Sequence, residues 1–290
     1  MQALASANPA LKPFLIESKS GRSSINFSDD RAVKELNRAL LIHHYHIQYW
    51  DIPDGHLCPP IPGRVDYLLG VKDALAEQGF DSALKSEDFR ALDIGTGANL
   101  IYPIVGHGLF DWQWVATDIE QSSLENAQII VDKNPELKEK IELRLQANSG
   151  NIFDGVIHGD EFFHISCCNP PFHKSAKEAM AGSIRKNKNL ARNKTKRKSN
   201  VRTSSSDNHL NFSGKSNELW CKGGELAFVK TMIKESRDVS DRVGLFTCLI
   251  SKKDNLSPIY AALKEQKVSS FKAHDMQQGS KISRFISWKY

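Results

Sequence analysis

No run in this chain of 290 residues approaches the ~20 consecutive apolar residues that a membrane span requires. The first residues, Met1-Gln2-Ala3-Leu4-Ala5-Ser6-Ala7-Asn8-Pro9, lack a basic segment followed by an apolar core, so no secretory signal is expected. The five cysteines, Cys58, Cys167, Cys168, Cys221 and Cys248, show no CxxC spacing. That argues against structural zinc and for a reduced, cytoplasmic protein. His43, His44 and His46 cannot all face one side of a helix, and no carboxylate or cysteine stands at a ligand spacing from them. No metal is expected there, only packing or RNA contact. Acidic residues are missing altogether between Arg185 and Arg202. The net charge of +5 is therefore local, since nine basic residues fall in those eighteen positions and the rest of the chain is net acidic.

That basic block comprises Arg185, Lys186, Lys188, Arg192, Lys194, Lys196, Arg197, Lys198 and Arg202, with Asn, Ser and Thr between them. Like charges so spaced cannot bury one another and suit an RNA backbone. The block belongs to a long insertion, residues 173–222, and insertions of that length are usually functional.

A nucleotide-type turn lies upstream. Phe89-Arg90-Ala91-Leu92-Asp93-Ile94 reads as a buried strand, Gly95-Thr96-Gly97-Ala98-Asn99 as a turn, and Leu100 to Val105 as the start of a helix. The dinucleotide fingerprint needs a third glycine, where Leu100 stands, and a phosphate loop needs a lysine that is absent. The turn thus suits a ligand without phosphates, of which S-adenosylmethionine (SAM) is one. A second strand, Trp112 to Thr117, ends in Asp118, 23 residues beyond Gly95. That is close to the ~20-residue spacing of a ribose-hydroxyl acceptor.

A third strand, Phe162 to Cys168, runs into Asn169-Pro170-Pro171-Phe172. An Asn oxygen and the following carbonyl accept the two hydrogens of an exocyclic amine. Pro171 has a fixed φ and no N–H, so it shapes the turn without adding a donor. Phe172 offers a face on which a base stacks. Together with the glycine turn and its acid, this order points to methyl transfer onto a planar amine.

The remaining pattern gives an organisation. Residues 1–25 read as a weakly ordered, flexible N-terminus. Asp29-Asp30 starts a helix whose face carries Ala32, Leu36, Ala39, Leu40 and His43. Residues 47–52 fit a short strand. Pro62 or Gly63 starts a second helix, closed by Gly79. Residues 26–84 thus form an N-terminal module, and residues 85–290 an α/β domain. Strands are expected at 89–94, 112–117, 141–146, 162–168, 242–250, 268–274 and 282–289. Helices are expected at 99–107, 120–133, 224–237 and 255–266. The link from Asp275 to Lys281 is too short for a crossover, so the last two strands should pair antiparallel. The fold class is α/β: a doubly wound, seven-stranded, mostly parallel sheet with an N-terminal helical module.

The block Phe27-Ser28-Asp29-Asp30-Arg31-Ala32-Val33-Lys34-Glu35-Leu36-Asn37-Arg38-Ala39-Leu40-Leu41, followed by Pro59-Pro60-Ile61-Pro62-Gly63-Arg64, resembles the bacterial 23S ribosomal RNA adenine-N6 methyltransferases. It is also similar to the human adenine-N6 methyltransferase of a spliceosomal small nuclear RNA. Gly223-Gly224-Glu225-Leu226-Ala227-Phe228-Val229 and Met276 to Arg284 extend the resemblance over most of the chain. The resemblance implies a Rossmann-like SAM-dependent methyltransferase whose residues 26–84 contact RNA and SAM, that Arg64 pairs with the SAM carboxylate, that Asp93, Gly95 and Gly97 belong to the cofactor site, that Asp118 holds the ribose, and that Asn169 takes the target amine. It implies 23S rRNA, free or in a large-subunit assembly intermediate, as partner. Rival readings are a guanine-N2 RNA methyltransferase, which shares Asn-Pro-Pro-Phe-His, a protein glutamine methyltransferase, or a non-catalytic assembly factor. The basic insertion favours RNA over protein, and the N-terminal block favours adenine over guanine.

Overall fold

The computed structural model describes residues 1–18, 21–54, 56–175, 220–278 and 281–290. Its centre is a sheet of seven strands: β3 (Arg90–Ile94), β4 (Gln113–Asp118), β5 (Ile141–Leu145), β6 (Phe163–Cys168), β7 (Val243–Ile250), β8 (Ser270–Gln278) and β9 (Lys281–Lys289). Their spatial order is β5-β4-β3-β6-β7-β9-β8. The first five run parallel, while β9 is antiparallel to both β7 and β8. Every residue of β7 is buried, as a central strand covered on both faces requires. The order turns outward in both directions from β3 and β6, a switch point that leaves a crevice beyond the strands' carboxyl ends.

Helices cover both faces. On one lie α3 (Ile61–Glu77), α4 (Ile101–Phe110) and α5 (Gln121–Asp132). Their Leu68, Val71, Val105 and Ile130 pack with Ala91, Trp114, Ile165 and Cys167 of the sheet. On the other lie α6 (Gly224–Ser236) and α7 (Leu256–Glu265), where Val229, Met232 and Leu263 pack with Leu92, Val115, Phe246 and Cys168. The adjacent Cys167 and Cys168 thus enter opposite cores, as alternation along a strand demands. Each such fully buried aliphatic or aromatic side chain contributes roughly 1.5–3 kcal/mol.

The N-terminal segment differs from the weak order its composition implies. It carries α1 (Gln2–Ala7), a 3-10 turn (Pro9–Phe14) and a hairpin of β1 (Leu15–Glu17) and β2 (Ser23–Ile25). Leu4, Leu11 and Ile25 bury against Ala32 and Ala39 of α2 (Asp30–Tyr45). Asn8 Nδ2 donates to Glu35 Oε2 at 2.8 Å. The helix start at Asp29 is as expected, with its carboxylate accepting from Arg31 N at 3.1 Å.

Residues 47–52 form no strand. Their backbone finds side-chain amides instead of a sheet neighbour. Asn134 Oδ1 accepts from Gln48 N at 2.6 Å and Tyr49 N at 3.1 Å. Asn134 Nδ2 donates to Tyr49 O at 2.7 Å and Ile130 O at 2.6 Å. The last hairpin is tighter than expected, because pairing continues to Gln278↔Lys281 and takes up most of the predicted link. Among the described residues no helix is long and apolar enough to cross a membrane.

Asn134 is wholly buried. Asn134→Ala should cost about 1–3 kcal/mol, because it removes four hydrogen bonds and leaves the buried Ile130 carbonyl and the partly buried Tyr49 amide without that partner. A urea midpoint equal to that of the parent chain would contradict this account.

Candidate active site

Register builds the site. Ile94 pairs with Thr117 of β4 and with Cys168 of β6. One step further along each strand stand Gly95, Asp118 and Asn169, so three positions selected from sequence emerge level at one sheet edge. The glycine turn is then tied to β4. Gly95 N and Thr96 N both donate to Thr117 O at 2.9 Å. Asp118 Oδ2 accepts from Gly97 N at 2.8 Å, and its Oδ1 from Glu120 N at 2.9 Å. Gly95 has φ +75°, and a Cβ there would meet nothing within 4 Å, so the backbone lies bare toward the open crevice. Leu100 takes the left-handed conformation, φ 53°, at the place where the dinucleotide fingerprint has its third glycine.

The N-terminal module braces the same turn. Trp50 Nε1 donates to Asn99 O at 2.9 Å. Asn126 Nδ2 donates to Asp51 O at 2.9 Å and Ala98 O at 2.7 Å, joining module and turn through one amide.

The crevice is a cavity of about 530 Å³, lined by Arg64, Gly95, Gly97, Asp118, Asn169 and Pro171 among others. That volume lies in the range of small-molecule sites, roughly 300–1,000 Å³. Asp93, Pro170 and Phe172 do not line it. Asp93 is fully buried beneath the turn, and neither of its oxygens has a hydrogen-bond partner. Burial pushes its carboxyl up to about 7. Pro170 is buried and Phe172 half-buried. The basic residues Arg185 to Arg202 lie outside the described residues.

Arg64 is half-buried, with its guanidinium 5.4 Å from the Tyr102 ring centroid and no ion pair among the described residues. It remains a bidentate donor for an anionic group on a ligand. Asn169 Oδ1 is buried and accepts no hydrogen bond. An acceptor so stranded costs about 1–3 kcal/mol, which a donor on a ligand relieves.

Several lining residues carry no signature in the sequence. Gln146, at the end of β5, and Ser149 to Ile152 close one wall. Glu235 Oε2 holds this wall by accepting from Ile152 N at 2.7 Å and Phe153 N at 3.0 Å. Behind β6, the Tyr67 hydroxyl bonds Thr247 Oγ1 at 2.7 Å and accepts from Cys168 N at 3.3 Å. Thr247 Oγ1 in turn donates to Ser166 O at 2.8 Å. Burial pushes the Tyr67 hydroxyl well above the ordinary tyrosine range, so it stays protonated. In sequence Asp66-Tyr67 belongs to the block that carries the family resemblance, which gives Tyr67 no role of its own.

The far wall comes from residues 220–231. Cys221 N donates to His173 O at 3.2 Å, and His173 pairs with Trp220 in an isolated bridge. A Cβ on Gly224 would stand 2.8 Å from Lys174 Cγ and 3.3 Å from Lys174 N, so glycine is required where the two segments meet. Glu225, also buried, accepts from Ser251 N at 2.8 Å and from Asn255 Nδ2 at 2.7 Å, and fixes the connection after β7.

An open α/β sheet with a phosphate-free glycine turn, an acid at the next strand end and an Asn-Pro-Pro edge defines a Rossmann-like methyltransferase. The model of a family described as RNA methyltransferase matches residues 1–290, and the chain belongs to that family. It is an RNA methyltransferase with SAM as methyl donor. Ribosomal RNA large subunit methyltransferase F of Pseudoalteromonas atlantica is 47% identical over 291 residues, covering 100% of this chain and 88% of the relative. The protein of that name from Shewanella denitrificans is 49% identical, covering 99% and 79%. The human METTL16 catalytic domain in complex with MAT2A 3'UTR hairpin 1 is 27% identical, with a TM-score of 0.78 over 99% of this chain and 89% of that one. The N-terminal domain of human METTL16 in complex with SAH is 27% identical, with a TM-score of 0.72 over 99% and 92%.

The folded pKa of Asp93 lies above the unfolded value of about 3.9, so between about pH 4 and pH 7 the folded chain holds the extra proton. Stability of the ligand-free chain should therefore fall as pH rises through that window, by on the order of a few kcal/mol. Urea unfolding across the window should show this slope, and Asp93→Asn should flatten it. Parallel pH dependences in the two proteins would refute the assignment.

Proposed function

We propose that this protein transfers a methyl group from SAM to the exocyclic N6 of one adenine in 23S ribosomal RNA, in the cytoplasm, on free rRNA or a large-subunit assembly intermediate. The observation that carries this reading is the buried, unpartnered Asn169 Oδ1, level with Gly95 and Asp118 at the sheet edge. The names of the large-subunit methyltransferases among its relatives support the choice of RNA.

Bound SAM supplies a methyl group already made electrophilic by its sulfonium. The chain's own residues hold and orient. Arg64 pairs with the donor's carboxylate, and the bare backbone of Gly95 and Gly97 lets the ligand approach closely. Asp118, whose carboxylate accepts from Gly97 N and Glu120 N at the end of β4, takes the ribose hydroxyls. Asn169 Oδ1 and Pro170 O accept the two hydrogens of N6. This turns the nitrogen lone pair toward the methyl and stabilises the positive charge that builds on nitrogen. As the N–C bond forms, the C–S bond breaks and N6 releases one proton to solvent. In-line alignment supplies much of the rate. The base leaves its stack to reach this edge, and Phe172 replaces part of the lost stacking. Residues 26–84 act as the module that contacts RNA and SAM. The basic residues Arg185 to Arg202 bind phosphates.

The direct test is nucleoside mass spectrometry of large-subunit rRNA, taken from cells lacking the gene and treated with the protein and methyl-labelled SAM. Labelled N6-methyladenosine is expected. Labelled N2-methylguanosine would keep the fold and overturn the base, and no label with SAM bound would direct the search to precursor particles. Asn169→Ala should lower kcat about a hundredfold or more, as loss of one preorganised polar partner does. Near-parental turnover would remove Asn169 from the chemistry. Neutralising the basic block should weaken RNA binding and reduce the salt slope by ~0.7–0.9 per lost phosphate contact. A slope that stays the same would leave that block without a phosphate-binding role.

A further inference from the structure

Trp220 has no part in the scheme above, yet it lines the same cavity as Asn169 and Pro171. Its indole nitrogen is buried and donates to nothing. Buried indoles normally find an acceptor, because Nε1–H is a donor only. The indole nitrogens of Trp112 and Trp114 also lack partners, but those rings belong to the core between sheet and helices, and of the three Trp220 alone lines the cavity. Its backbone position is set by the His173 bridge, four residues from Asn169, and by the bond from Cys221 N to His173 O. Of the buried, unpartnered polar atoms on the cavity wall, the Thr96 and Tyr102 hydroxyls can both donate and accept, whereas Asn169 Oδ1 can only accept and Trp220 Nε1–H can only donate.

That pair matches one nucleobase edge in particular. The N6 amine of adenine is a donor flanked on both sides by ring acceptors, N1 and N7. The N2 amine of guanine has an acceptor on one side only and the N1–H donor on the other. We propose that the indole N–H of Trp220 donates to a ring nitrogen of the target adenine, so that Trp220 and Asn169 together select the base. This inference rests on the adenine reading above and adds to it a specificity-determining residue. A site built to hydrogen-bond its substrate rejects an analogue that lacks the partner atom, because its own polar group is left unpaired.

The test uses the full chain and the RNA labelled in the preceding experiment, with the target adenine replaced by 1-deazaadenine or 7-deazaadenine. Failure of the adenine reading would already have been seen there, as label on guanine or no label. The parent enzyme should lose about tenfold or more in kcat/KM on one of the two analogues, which identifies the ring nitrogen. Trp220→Phe, which keeps the ring and deletes the N–H, should lose a similar factor on natural adenine and nothing further on that analogue. Its KM for SAM should match the parent's, which separates a lost base contact from a damaged fold. The proposal is overturned if the parent enzyme treats adenine and both analogues alike. It is equally overturned if Trp220→Phe methylates adenine at the parental rate, or if its loss adds in full to that of each analogue.

Discussion

The site depends on the parallel pairing that sets Ile94 level with both Thr117 and Cys168. Side chains alternate across a strand, so a slip of one residue would send each strand-end group to the opposite face. Register is protected by burial on both sides, since the residues leading to each edge belong to one core or the other. The geometry of the candidate site is therefore a by-product of core packing. The Tyr67 hydroxyl, bonded to Thr247 and accepting from Cys168 N, holds the end of β6 one residue before Asn169.

Side-chain amides carry much of the remaining organisation. Asn134 stands in for a missing strand beside residues 48–49, and Asn126 joins the N-terminal module to the glycine turn. An amide both donates and accepts, so a single buried residue satisfies several backbone groups where sheet pairing is geometrically impossible. The module is in this way continuous with the cofactor-type turn: Leu41, Trp50 and Tyr67 share one apolar core with Ala91, Leu100 and Trp114.

The α/β pattern was legible because strands buried on both faces and helices with one apolar face leave strong periodic signals. Every strand after residue 85 lies within a few residues of its expected position. Gly95, Gly97, Asp118 and Asn169 were legible as cavity-lining positions because residue type at a strand end is a local signal. Residues 47–52 read as a strand because β-prone composition says nothing of partners, and here Asn134 took the partner's place. The N-terminus looked weakly ordered because its few apolar residues form no periodic run, yet Leu4 and Leu11 bury against α2. Asp93 and Phe172 sit in recognisable motifs without reaching the cavity wall, since motif membership fixes backbone placement and not side-chain exposure. Gln146 and Trp220 line the cavity and Tyr67 backs β6 through tertiary contacts that span up to 180 residues of chain, as between Tyr67 and Thr247, and periodicity does not report those.

The closure between His173 and Trp220 separates two problems that the same polypeptide has to solve. Once the stems of a long excursion are joined next to the reaction centre, its length and composition hardly register in the stability of the domain. Each doubling of a loop costs only about 0.6 kcal/mol in closure entropy. The number of residues between the two stems can therefore change at little cost to the fold that carries the candidate site. A change of length there leaves the register of β3, β4 and β6 untouched.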